Sequence, residues 1–165
     1  MLKKIKFLLL FLFLLTGCTL GNTPTSRVEE LLSSYQRLDK NIVISYEKLS
    51  STVEDLNLIS EYQKLVKRQY QNMVYEIKDE KINGDLAIVS VSISVFDYGS
   101  VVNDDFDDSV ERTKKEHEEV IRKLKKVKKR TQYMLDLEVV KNQNGTWEVG
   151  DLDDDEMSQL LGIYS

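Results

Sequence analysis

Residues 89–95 restrict the possible fold more than any other part of the sequence. Apolar side chains alternate there with serines: Val89, Val91, Ile93 and Val95 against Ser90, Ser92 and Ser94. Because successive side chains of a β-strand point to opposite faces, this pattern predicts a strand with one apolar and one polar face. Such a strand needs partners and a covered side. The chain is therefore expected to contain an antiparallel sheet that is buried on one face only.

Three further strands are predicted by the same alternation. The first begins at Met73, with Tyr75 and Ile77 on one face and Glu76 and Lys78 on the other. A later strand begins at Thr131, and its apolar set is Tyr133, Leu135, Leu137 and Val139. Asn144 and Gly145 then predict a turn into a short strand over residues 146–149, which carries the single tryptophan.

The turn between the first two strands is predicted from their register. A two-residue Asn-Gly loop would set Ile77 opposite Ser90, which places an apolar row against a serine row. A three-residue loop of Ile82, Asn83 and Gly84 sets Ile77 opposite Val89 instead. We therefore predict the three-residue loop, with Gly84 in the left-handed conformation.

Helical periodicity precedes, separates and follows these strands. The first helix begins either at Thr23 with Pro24 or at a capping box of Ser26 and Glu29. Its apolar face consists of Val28, Leu31, Leu32, Tyr35 and Leu38. Further helices are predicted over about residues 40–49 and 60–71.

Between the two hairpins, residues 99–130 predict one long charged helix that Asp104 or Asp108 would cap. Its stripe consists of Val110, His117, Val120, Ile121, Leu124 and Val127. A last helix over about 154–161 should end at Gly162. The predicted fold class is α+β, with a curved four-stranded antiparallel sheet wrapping the N-terminal helices in a cone-like arrangement.

The first residues have the order of an export signal. Lys3, Lys4 and Lys6 precede an apolar run over residues 7–15. That run is shorter than the roughly 20 residues that a membrane-spanning helix needs, so a cleaved signal is the better interpretation. Removal of residues 1–17 takes away three lysines and no acid, which changes the formal charge from −5 to −8. This sign argues against nucleic acid as a partner.

The four residues Leu15, Thr16, Gly17 and Cys18 resemble the lipobox of bacterial lipoproteins. The resemblance implies that acyl chains are attached to the Cys18 thiol and that a peptidase cuts just before it. Lipidation also explains a lone cysteine in an exported chain, where an unpaired thiol is otherwise unexpected. The alternative is an ordinary signal peptide with an incidental cysteine.

The expected layout follows from that site. Residues 1–17 form the signal peptide, residues 18–24 the lipidated cysteine and its tether, and residues 25–165 a single domain of ordinary size. The membrane is the expected partner through the acyl chains. The expected location is the outer face of the cytoplasmic membrane.

Three later segments carry a second resemblance. They are residues 75–89 around the Asn-Gly turn, residues 142–149 from Asn142 to Val149, and residues 160–164 at the end. They are similar to small lipoproteins of low-GC Gram-positive bacteria in the nuclear transport factor 2-like, or cystatin-like, superfamily. The resemblance implies a cone-shaped fold whose concave sheet face often forms a pocket. Tyr75, Tyr98 and Tyr133 would point into such a pocket, or else form aromatic core.

Other charged groups have simpler interpretations. Residues 122–130 are rich in lysine and arginine and could bind anionic wall polymers or lipid head groups, but acid-before-base pairs favour a solvated helix. The acidic clusters near Asp104 and Asp153 fit helix N-termini better than calcium sites, and we expect no metal or cofactor. His117 is expected at a core boundary rather than in catalysis.

The sequence therefore favours a non-catalytic, lipid-anchored envelope protein that binds another envelope protein or a small ligand. The alternative is a small isomerase or hydrolase that uses the concave face of the sheet.

Overall fold

The computed structural model describes residues 21–42, 44–50, 53–105 and 112–164, with the backbone alone for 103–105. Within these residues lie five helices and four strands. The helices are α1 (Pro24–Arg37), α2 (Leu56–Asn72), α3 (Gly99–Asp105), α4 (Lys114–Lys126) and α5 (Asp154–Leu161). The strands are β1 (Val74–Asn83), β2 (Leu86–Phe96), β3 (Arg130–Lys141) and β4 (Trp147–Val149).

The strands form one antiparallel sheet in the order β1-β2-β3-β4. In β2 the apolar residues at odd positions are fully buried, whereas the serines between them are only half-buried. Leu135, Leu137 and Val139 of β3 lie on the same inner face and are buried. The predicted α+β class and the half-buried antiparallel sheet are thus confirmed.

Three helices cover the inner face of the sheet. Helix α1 contacts all four strands, and α2 and α5 both contact β2. Helix α4 packs on α2 and α3 and so lies outside this first layer. The core is formed where Val28 and Leu32 of α1 and Tyr62 and Val66 of α2 meet the aliphatic row of β2.

The helix start at Thr23 is confirmed, and the alternative start at Ser26 is wrong. The Thr23 side chain accepts a hydrogen bond from the Ser26 backbone, and the Ser26 hydroxyl accepts from the Thr23 backbone, each over 3.1 Å. Pro24 follows at the first helical position, where its missing N–H costs nothing. Helix α5 also has its predicted bounds and ends at Gly162, which has φ +70°.

The helix predicted over residues 40–49 does not form. Leu38 ends α1 in the left-handed conformation, and isolated turns follow at residues 47–49. The β-branched residues of this segment have low helix propensity. Ile42, Ile44 and Tyr46 are half-buried and Leu49 is fully buried, so apolar residues of this segment reach the core from an irregular chain.

The predicted three-residue turn is also wrong. Asn83 pairs with Leu86, so the loop contains two residues, Gly84 and Asp85. Ile77 faces Val91 because a bulge between Ile77 and Asp79 absorbs one residue. Apolar side chains therefore still face apolar ones, but because of a bulge that the predicted register did not include. Gly84 does have a positive φ, +64°.

The long helix predicted over residues 99–130 is divided into α3 and α4. Helix α4 begins at a capping box of Thr113 and Glu116, not at either predicted aspartate. It ends at Lys126, and Arg130 already belongs to β3. Asp108 and Val110 lie outside the described residues. The rest of the stripe is confirmed: Val127 is half-buried, and the four other described members are buried, namely His117, Val120, Ile121 and Leu124.

Candidate functional site

The three tyrosines predicted to share a pocket have separate hydrogen-bond partners. Tyr75 and Tyr133 flank Ile93 on the sheet. The Tyr75 hydroxyl lies 3.1 Å from the Ser33 hydroxyl, and the Tyr133 hydroxyl donates to the Tyr164 carbonyl over 2.9 Å.

Tyr98 lies beyond the end of β2 and is completely buried. Its hydroxyl donates to the Leu65 carbonyl over 3.4 Å. None of the three tyrosines lines either of the two cavities described below.

One cluster of buried polar side chains in the described core surrounds His117. Its side chain is 2% exposed, and its Nδ1 atom lies 3.1 Å from the Tyr62 hydroxyl and 3.4 Å from the Ser50 hydroxyl. Burial, with a smaller contribution from the charge of Arg112, lowers the pKa of His117, although Glu116 opposes that shift. The imidazole is therefore held neutral among hydroxyl groups, inside the core rather than at its boundary.

Sequence analysis missed two members of this cluster. Ser50 follows the segment 40–49 that was predicted to be helical, and Tyr62 lies within the helix predicted over about residues 60–71. Tyr62 could have been connected to His117 because each lies on the apolar stripe of its helix, and helices α2 and α4 pack together. No local pattern marks Ser50.

A groove of about 490 Å³ lies between α2 and α4. Leu58 and Ile121 are its buried apolar residues. Charged side chains form the rest of the lining together with Asn57: Glu61, Lys114, Glu118, Arg122, Lys125 and Lys126. An apolar base between charged edges suits a partner that presents a small apolar group with polar surroundings.

The charges around the groove are already paired across it. Lys125 lies 2.5 Å from a carboxylate oxygen of Glu61, and Lys114 lies 2.9 Å from Asp55. These contacts hold α4 against α2 from both ends. Hydrogen bonds from Lys125 and Lys64 lower the pKa of Glu61 to about 2.

The basic residues 122–130 are divided among several structural contacts. Arg122 pairs with Glu119 over 3.0 Å and Lys129 with Asp97 over 2.8 Å. Arg130 donates to the Asn72 carbonyl over 2.8 Å. The Arg122 pair has the predicted acid-before-base order, with the acid three residues before the arginine. These contacts place the basic run at the end of α4 and the start of β3 rather than on one helical face.

A second cavity, of about 460 Å³, lies between the outer face of β3 and the start of α5. Five acids are among its lining residues: Asp136, Glu138, Asp151, Asp153 and Glu156. Asp153 caps α5 by accepting a hydrogen bond from the Glu156 backbone over 2.7 Å. Across the described ranges, no group of three or more acids, histidines or cysteines has a metal-binding arrangement.

The predicted lipidation residues Leu15, Thr16, Gly17 and Cys18 lie outside the described residues. The chain that follows them is attached to the domain from Gly21 onward. The Gly21 carbonyl accepts from the Thr23 backbone over 2.8 Å. The Asn22 side chain donates to the Gly145 carbonyl over 2.7 Å and accepts from the Trp147 backbone over 2.8 Å.

The chain is similar to a solved structure but not to a known family or a curated protein. No known family profile matches the sequence, and no curated protein matches it. Among solved structures, the crystal structure of a "putative lipoprotein (ycdA)" from Bacillus subtilis subsp. subtilis str. 168 is similar, with a TM-score of 0.44 and 19% sequence identity. The match covers 82% of this chain and 46% of that one, so this chain spans less than half of that protein's length.

No helix among the residues described is both long enough and apolar enough to cross a bilayer.

Proposed function

We propose that this protein is a lipid-anchored cell-envelope protein whose domain is a non-catalytic binding or interaction module. The observation that carries this proposal is the sequence Leu15-Thr16-Gly17-Cys18 directly after a short apolar run. Two acyl chains on one thiol provide stable attachment to a membrane. The module would then lie on the outer face of the cytoplasmic membrane.

The packing of the sheet supports a non-catalytic role. Its inner face carries Val89, Val91, Ile93, Leu135 and Leu137, all at most 2% exposed, beneath the helices. A concave catalytic pocket would need space and polar groups on this face. The packing of this face therefore does not support the alternative of an isomerase or hydrolase that acts there.

The outer surfaces of the domain offer better sites for a partner than the inner face of the sheet does. The groove between α2 and α4 is open, has an apolar base, and is the larger of the two cavities described above. Another envelope protein or a small amphipathic ligand would meet the domain there. His117 lines neither cavity, which fits a structural role for that side chain.

The anchor is tested by membrane fractionation of the full chain. The Cys18→Ala variant should move from the membrane fraction to the soluble fraction, because the thiol that would receive the lipid is gone. The matched control is Thr19→Ala, which leaves the four lipobox residues intact and should remain with the membrane. Mass spectrometry of the parent should find an acylated cysteine as the first residue.

Two results would contradict the proposal. One is a Cys18→Ala variant that sediments with membranes as completely as the parent. The other is a native protein whose Cys18 sulfur carries no acyl group, or whose mature N-terminus lies elsewhere.

A further inference from the structure

Both hairpin turns lie at one end of the sheet, which we call the hairpin end (residues 82–86 and 140–147). The Lys141 backbone donates to the Asp85 carbonyl over 2.8 Å, which joins the two turns. Leu86 is the direct cross-strand partner of Val140. The turns of β1–β2 and β3–β4 therefore form one continuous surface.

The N-terminal segment of the described chain is fixed to this same end. Asn22 bonds to Gly145 and Trp147 of the second turn, as described above. Near the first turn, the Thr25 backbone and hydroxyl both donate to Glu80, over 2.9 and 2.7 Å. The start of the domain is thus attached to both hairpins.

The short connection to Cys18 places the hairpin end next to the proposed anchor. Three Cα–Cα steps separate Gly21 from Cys18, and a fully extended chain of that length spans at most about 11 Å. Because Gly21 is bonded to the domain, a lipid on Cys18 would hold the hairpin end within that reach of the bilayer surface. The opposite end of the sheet, near Phe96 and Arg130, lies a full strand length away.

The hairpin end exposes apolar side chains. Leu86 is 40% exposed and Val140 is 42% exposed, and they are adjacent on the outer face of the sheet. Ile82 is also exposed, at 55%, but it pairs with Ala87 and therefore lies on the other face of the sheet, so the outer-face pair is Leu86 and Val140. Exposed apolar groups that lie together indicate a contact surface.

We propose that the hairpin end docks on the membrane, with Leu86 and Val140 entering the lipid interface. This inference rests on the proposed lipidation of Cys18. The lipid surface is the favoured occupant because the chain before Gly21 is too short to carry this end far from the bilayer. Tethering also raises the local concentration of lipid, so a small apolar contact suffices.

The local charges indicate that the contact is apolar rather than electrostatic. The exposed Lys81 already lies 3.4 Å from Asp79, and Glu138 and Glu148 are exposed on strands β3 and β4 nearby. A surface of this kind gains little from anionic head groups. Docking should therefore change little when salt is raised.

The proposal is tested with a fluorescent reporter on the lipidated full-length protein. Acylation blocks Cys18, so a cysteine introduced by Gln143→Cys is the only free thiol and takes an environment-sensitive label at the exposed second turn. The protein is placed in vesicles of phosphatidylethanolamine and phosphatidylglycerol with brominated acyl chains. Quenching should be strong at this site. It should be weak for Lys128→Cys, an exposed position at the opposite end.

A double substitution separates docking from simple tethering. Leu86→Thr with Val140→Thr places β-branched residues that suit a strand at both positions but removes much of the apolar contact, and quenching at residue 143 should fall about two-fold or more. The matched control is Met134→Thr, which changes a 56% exposed apolar residue on the same face of β3. It lies six residues from Val140, or about 20 Å along the strand, so it should leave quenching unchanged. Circular dichroism establishes that all variants are folded.

Vesicle flotation distinguishes failure of this inference from failure of the anchor. If the parent floats but residues 143 and 128 are quenched equally, or the double variant is quenched like the parent, docking is refuted and the anchor stands. If the parent does not float with the vesicles, both proposals are refuted. Flotation with quenching that depends on Leu86 and Val140 supports both.

Discussion

At the scale of single residues, His117 shows how burial decides the role of a side chain. The only histidine of the chain lies on an apolar helical stripe, and the fold closes Tyr62 and Ser50 around it. A neutral imidazole satisfies these hydroxyls without the cost of a buried charge. Its conversion to imidazolium therefore opposes folding.

This cost predicts a loss of stability in mild acid. The pKa of His117 is lower in the folded state than in the unfolded state. The contribution of the neutral imidazole to stability is therefore complete above the unfolded-state pKa and is lost as the pH falls toward the folded-state pKa. Urea unfolding should give a smaller free energy at about pH 5.5 than at about pH 7.5. A His117→Gln variant, which cannot titrate, should show a much weaker dependence across that interval.

Three hydrogen-bonded carboxylates do not produce the same effect in that interval. The pKa values of Asp55, Glu61 and Glu116 are lowered by their hydrogen bonds, so their contribution to stability is lost only at more acidic pH. If His117→Gln and the parent lose stability equally between the two pH values, the histidine is not responsible.

At the scale of elements, one buried side chain joins α2, the end of β2 and the end of α5. Gln69 is completely buried. Its amide donates to the Phe96 carbonyl over 2.8 Å and to the Leu161 carbonyl over 2.7 Å, and it accepts from the Phe96 backbone over 3.0 Å. Every polar atom of this side chain therefore has a partner. The partners are backbone groups at the end of a strand or a helix, which would otherwise lack a hydrogen bond.

Gly162 allows this junction to close. A Cβ atom at residue 162 would overlap the Phe96 carbonyl oxygen and lie 2.6 Å from the Gln69 amide nitrogen. The φ of +70° adds backbone strain for any other residue. Gly162→Ala should therefore lower the free energy of unfolding by about 3 kcal/mol or more, measured by chemical denaturation.

Gly84→Ala is the matched control for this substitution. Its φ of +64° is similar, but nothing lies within 4 Å of the added Cβ atom. It should cost only the backbone strain, about 1 kcal/mol. Equal losses for the two variants would show that the close approach at Gly162 does not matter.

At the scale of the whole molecule, the two ends of the sheet make different contacts. The Gln69 junction closes one end, and Asn22 attaches the start of the chain to the hairpin end. The groove between α2 and α4 lies in the outer helical layer. The proposed anchor and the proposed partner surface would therefore involve different parts of the domain.

Asn22 should control how firmly the domain is attached to its N-terminal segment. Asn22→Ala removes one exposed and one part-buried hydrogen bond and should lower the free energy of unfolding by about 1 kcal/mol. In the anchored protein, it should also reduce quenching of the label at residue 143, because the hairpin end is then less closely tied to the lipid.

Asn144→Ala is the control, since it changes an exposed turn residue whose described hydrogen bond uses only its backbone. The role of Asn22 is refuted if both alanine variants behave like the parent.

The sequence by itself determined the parts of the fold that depend on local chemistry. Alternation identified β2 and β3, Thr23 with Pro24 identified the start of α1, and Gly162 identified the end of α5. In each case the period, the cap or the required backbone conformation is written in neighbouring residues. The lipobox interpretation of residues 15–18 is of the same local kind and stays a prediction.

Only the tertiary structure decided the rest. The β1 bulge, the irregular chain before Leu49, and the closure of Ser50 and Tyr62 around His117 depend on residues far apart in the chain. So does the attachment of Asn22 to a turn more than a hundred residues away. Local patterns fix which face of an element is apolar, but the free energy of packing several such faces together selects the register, the irregular segments and the sites between elements.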